Sequence, residues 1–63
     1  MFCRVEILQQ DASGKKRIVF ARYKSAASLV EMMVFADHEC AKRGAAGYRL
    51  HELHTDEVKE IWD

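Results

Sequence analysis

Asp37-His38-Glu39-Cys40, followed downstream by His51 and His54, is the densest run of titratable and metal-ligating side chains in the sequence. A tetrahedral zinc site needs four such groups converging at about 2.0–2.3 Å. At about 100° per residue, a helix through this run brings Asp37 and Cys40 together but turns His38 to the opposite side. On a strand, His51 and His54 point to opposite faces. At most two ligands converge, so no metal and no cofactor is expected. A Cys40–His51 nucleophile fails for another reason. A reactive thiolate wants a helix N-terminus or adjacent cations. Cys40 falls instead in the last turn of an expected helix, on its apolar stripe, where Lys42 and Arg43 offset the unfavourable dipole only in part. Asp56 and Glu57 are neighbours near a turn and read as solvated charge. Gly44-Ala45-Ala46-Gly47 follows a helix rather than preceding one, so no helix N-terminus faces it to hold a phosphate. With each reactive cluster failing to converge, binding is the expected mode of action and no enzyme activity is expected.

The residues that could bind are distributed by charge. Residues 1–24 carry Arg4, Lys15, Lys16, Arg17, Arg22 and Lys24 against Glu6 and Asp11, a net +4, and residues 25–63 carry a net −4, so the chain is electrically two-ended although its total is zero. Lys15, Lys16, Arg17 and Arg22 on one side, and Glu52, Asp56, Glu57 and Glu60 on the other, are the candidate partner-binding charges. A two-stranded ribbon with a basic tip fits a nucleic-acid major groove, which makes nucleic acid an alternative partner. The neutral total and the acidic second half weigh against it.

The elements that must position these residues are legible in outline. Phe2 to Gln9 alternates, with Cys3, Val5 and Ile7 on one side and Arg4 and Glu6 on the other, as a half-buried strand does. Asp11-Ala12-Ser13-Gly14-Lys15 has hairpin-turn chemistry, an Asp able to accept from following amides and a Gly able to take positive φ. Arg17 to Lys24 is the return strand. A three-residue loop at Ala12-Ser13-Gly14 would set Ile7 opposite Val19, Val5 opposite Ala21 and Cys3 opposite Tyr23 as a core face. Leu8, Ile18 and Phe20 would then form an apolar patch rimmed by charge on the face away from the helix. A one-residue slip would send Ile18 and Phe20 into the core instead.

A helix is expected from Ser25 or Ser28 to Arg43. Ser28 and Glu31 match a capping box, and Leu29, Met32, Met33, Ala36 and Cys40 recur at helical spacing as the buried stripe. Glu31, His38, Glu39 and Lys42 fall on the far side, and Phe35 lies off the stripe. Gly44 suits the position after the helix. Tyr48 to His54 reads as a third strand, antiparallel to the first and beside it, in the order 2-1-3. Thr55 to Asp63 reads as a fourth strand pairing Leu53 with Val58, Glu52 with Lys59, His51 with Glu60 and Leu50 with Ile61, or as a short helix capped by Thr55. The fold class is therefore α+β, ββαβ(β): an antiparallel sheet of three or four strands with one long helix packed on one face.

Sixty-three residues make a single domain, residues 1–63, whose 49% hydrophobic content argues against disorder. Chains below about 70–80 residues have small cores and commonly lean on a disulfide, a metal or a partner. The two cysteines, Cys3 and Cys40, both fall on apolar faces, so a partner subunit is the expected support and a homodimer is anticipated. Charges interrupt Met1–Glu6 before any apolar signal region forms, and no apolar run approaches a membrane span of about 18 residues. A cytoplasmic protein without membrane association is expected.

At Gly44-Ala45-Ala46-Gly47-Tyr48-Arg49-Leu50 the chain resembles a widespread family of tiny uncharacterised domains in which a helix ends in a Gly-Ala-x-Gly-aromatic-x-Leu segment that opens a strand. Gly44, Gly47, Tyr48 and Leu50 match, with Tyr48 where the family prefers Trp. The resemblance implies a fold and no activity. In overall plan the chain is also similar to small phage proteins, including anti-CRISPR inhibitors. That likeness implies a non-enzymatic, dimeric protein that covers a site on a host defence complex.

Overall fold

The computed structural model describes all residues from Met1 to Asp63. Strands β1 (Phe2–Gln10), β2 (Lys16–Ser25), β3 (Gly47–Glu52) and β4 (Val58–Trp62) form one antiparallel sheet in the order β2-β1-β3-β4, with helix α1 (Leu29–Arg43) between β2 and β3 in sequence. This is the expected α+β plan. β3 lies beside β1 and antiparallel to it as anticipated, and the tail is a strand. No helix is long and apolar enough to cross a membrane.

The β1–β2 turn is built by Asp11. Its Oδ1 accepts from the Ser13 and Lys15 amides, both at 2.9 Å, and Gly14 takes φ +84°. Helix α1 begins with Ser28, whose hydroxyl accepts from the Glu31 amide, while the Glu31 carboxylate accepts from the Ala27 amide. It ends with Gly44 at φ +60°, and the Ala45 amide donates to the Cys40 carbonyl.

The helix lies over β1 and β3. Cys3, Val5 and Ile7 of β1, Tyr48 and Leu50 of β3, and Met32, Ala36 and Cys40 of α1 form the core, with Leu29 and Met33 packed at its margin. Two helix residues depart from the expected arrangement. Glu39 is 7% exposed, folded in beside Arg43 rather than set out in solvent. Phe35 packs against the core on the β2 side, with the Arg22 and Lys24 side chains over its ring.

The hairpin register is half as expected. Near the turn, Leu8 pairs with Ile18, but a bulge follows, and Ile7 then pairs with Phe20, Val5 with Arg22 and Cys3 with Lys24 instead of Val19, Ala21 and Tyr23. Val19 is the extra residue, and it is 40% exposed. The slip is favoured because it turns the larger Phe20 ring to the helix side, where it packs against the core beneath the Arg43 guanidinium, 3.7 Å from the ring centroid. The β3–β4 register also differs. Val58 pairs with His51, Lys59 with Leu50, Glu60 with Arg49, Ile61 with Tyr48 and Trp62 with Gly47, two residues from the expected pairing, because Leu53 to Glu57 form a longer turn. Glu52 stabilises that turn by accepting from the amides of His54 and Thr55 and from the Thr55 hydroxyl.

Candidate functional site: the open face of the sheet

One helix covers one side of the sheet, and the registers define what the other side presents. Three rungs run across it from β2 to β4. The first is Ile18, Leu8, Gly47 and Trp62, the second Ala21, Glu6, Arg49 and Glu60, and the third Tyr23, Arg4, His51 and Val58.

The first rung buries one side chain, Leu8, outside the helix-side core. Trp62 lies across Gly47, and the Lys16 ammonium sits 5.3 Å from the centroid of its ring. Leu8, between Ile18 and Gly47, is closed off at 1% exposure. The expected patch of Leu8, Ile18 and Phe20 therefore does not exist as such. Leu8 is buried, Phe20 is on the helix side, and Ile18 alone remains exposed, at 48%.

The second rung carries a continuous charge network. Glu6 accepts from Arg4 at 3.0 Å and from Arg49 at 2.7 Å. Glu60 accepts from Arg49 at 3.0 Å, from Lys16 at 2.6 Å and from the Trp62 indole at 2.8 Å. Burial pushes the Glu6 carboxyl up, but the Arg4 and Arg49 hydrogen bonds outweigh it and leave the group below its usual range. The bonds from Lys16, Trp62 and Arg49 hold Glu60 down at about 2. Both stay ionised and matched to fixed cations.

The third rung is aromatic and exposed. Phe2 stacks on Tyr23 at 5.8 Å between centroids, and the Arg4 guanidinium lies 5.7 Å from the Tyr23 ring. Tyr23 and Val58 are each 54% exposed. His51 is hydrogen-bonded to Asp56, whose φ is +61°.

The structure thus sorts the sequence-predicted residues into three groups. Lys16 and Glu60 meet on the open face as an ion pair. Lys15, Arg17 and Arg22 make no ion pair, and with Lys24 they lie along the hairpin and β2. Glu52 and Glu57 border a cleft of about 390 Å³ floored by Cys3, Leu29 and Leu50, and Asp56 is taken up by His51. Arg4, Glu6, Tyr23, Arg49 and Trp62 were not singled out by sequence reasoning. The alternation of Arg4 and Glu6 opposite Cys3, Val5 and Ile7 signalled that they share a face, but their partners depend on the two registers.

The clusters considered for chemistry stay apart. No three His, Cys, Asp or Glu side chains are grouped to hold a metal ion. Cys40 donates its thiol to the Gly47 carbonyl at 3.3 Å, and burial pushes both the Cys3 and Cys40 thiols up. Comparison with known proteins finds no matching family model, no similar curated protein and no similar solved structure.

Proposed function

We propose that this protein is a non-catalytic protein-binding module that docks a protein partner on the open face of its sheet. The observation that carries the reading is the composition of that face, where exposed Phe2, Ile18, Tyr23 and Val58 surround charges already matched to one another. Interfaces favour aromatic residues and Arg, and disfavour isolated charge at their centre. A carboxylate whose partners are already in place loses less on being taken from water than a solvated one. The absence of catalysis is supported by the fate of the reactive groups: the carboxylates of Glu6 and Glu60 are held by cations, His51 is engaged by Asp56, and both thiols are buried and protonated. An inhibitor that covers a site on a larger complex, as the likeness to small phage proteins implies, would use the same face in the cytoplasm.

The test is affinity capture from nuclease-treated lysate with Val58→Glu and Ile18→Glu beside the parent protein. A partner captured by the parent and lost by both variants, with their thermal unfolding unchanged, supports the reading. A partner retained by both overturns it. Sedimentation of the parent alone asks whether the partner is a second copy of the chain.

A second reading, nucleic acid bound by the hairpin, has the unpaired Lys15 and Arg17 in its favour, whereas Lys16 is held by Glu60. Titration against DNA and RNA at rising salt decides it, since phosphate contacts weaken steeply as salt rises.

A further inference from the structure

We propose that the outer edge of β2 accepts an extended acidic peptide as a fifth strand of the sheet. This uses the backbone edge and the helix-side cations of β2 and shares only Ala21 and Tyr23 with the open face, so Val58→Glu on one surface and Arg22→Gln with Lys24→Gln on the other tell the two readings apart.

β2 is an edge strand, hydrogen-bonded to β1 alone. Beyond the Val19 bulge its pairing with β1 is regular from Phe20 to Ser25, so this stretch has the even geometry a further strand needs. The helix lies over β1 and β3 and meets β2 through side chains, Phe35 beside Arg22 and Lys24 and Arg43 over Phe20. One side-chain hydrogen bond reaches the β2 backbone, a long one of 3.4 Å from Arg22 Nε to the Tyr23 carbonyl.

The chemistry of the occupant follows from the side chains. β2 carries Lys16, Arg17, Arg22 and Lys24 and no carboxylate. Arg22 and Lys24 are on the helix side, form no ion pair, and rest 5.4 and 5.1 Å from the centroid of the Phe35 ring. Their stems are thereby supported along one side of the edge with the charges unneutralised. On the other side of the strand stand Ala21 and Tyr23. An added strand places alternate side chains beside these two rows. It would carry carboxylates opposite Arg22 and Lys24 and apolar groups opposite Ala21 and Tyr23. A second β2 strand is the wrong occupant, because it sets cations against cations, and like charges directly opposite are destabilising.

The probe is a blocked hexapeptide alternating glutamate and valine, with a lysine–valine peptide as control. Backbone amide exchange is measured by NMR with each. Binding of the acidic peptide alone is expected, with added protection confined to β2 amides between Phe20 and Ser25. The affinity falls about tenfold in an Arg22→Gln, Lys24→Gln double variant whose thermal unfolding matches the parent. Val58→Glu leaves it unchanged. Binding without β2 protection overturns the proposal, as does equal binding of the lysine peptide. Concentration-dependent protection of the same amides with no peptide present also overturns it, by assigning the edge to a second copy. An oligothymidylate that binds Arg22 and Lys24 when the peptide does not gives the row to nucleic acid instead.

Discussion

At Gly47, a side chain would occupy space already taken by Trp62. A Cβ there would fall 2.6 Å from the Ile61 carbonyl oxygen and 2.8 Å from the indole ring. Gly47→Ala is therefore expected to destabilise the protein by roughly 1–3 kcal/mol, measured by urea unfolding. Glu60, on the neighbouring rung, gives a pH dependence of definite sign. Its carboxyl is lowered from 4.5 to about 2 by bonds that exist only in the folded chain, as is that of Glu52 in the β3–β4 turn. A depressed carboxyl contributes stability above its unfolded value and loses that contribution as pH falls through its folded value. Melting temperature should decline on acidification from pH 4.5 towards 2. Glu60→Gln should melt below the parent at neutral pH and converge with it at the acid end of that range.

Among the elements, the helix and the first turn were the most legible, because their signals are local. Ser28 with Glu31, the stripe from Leu29 to Cys40, and Gly44 all lie within a few residues of the groups they satisfy. Ser28→Ala removes the acceptor for the Glu31 amide and should cost about 1 kcal/mol, read from the urea midpoint. The strands were legible as strands but not in register. Val19 and Phe20 are adjacent apolar residues, and nothing local decides which faces the helix. That depends on Arg43 and on core residues of β1, α1 and β3, none of them a near neighbour along the chain. The candidate site inherits this difficulty. The charges of Arg4, Glu6, Arg49 and Glu60 are visible in the sequence, yet their network exists only because β1–β3 and β3–β4 place them on one rung. Glu39 was misplaced for the related reason that helical spacing alone does not show how far Arg43 folds back along the helix.

The whole molecule is a two-layer domain with β2 at one edge, where every charged side chain is a cation, and β4 at the other, where Lys59 and Glu60 balance and the acidic excess lies in the adjoining turn and at Asp63. The open face between them has its charges internally matched and presents the rings of Phe2 and Tyr23 to solvent. Substitution there should separate binding from stability. Tyr23→Glu is expected to abolish capture of a partner by the open face while shifting the melting temperature little, because the ring is already 54% exposed. Trp62 has a further use. It is the only tryptophan of the chain, and it fastens the last strand by lying across Gly47 of β3 with the Lys16 ammonium of β2 over its ring. Its fluorescence is consequently an optical marker of one event, the seating of β4, whereas far-ultraviolet dichroism is weighted to the helix. Coincident transitions from the two signals would describe a domain that unfolds as a unit. In Gly47→Ala the emission should change at lower urea than the dichroism, marking a last strand that comes away first.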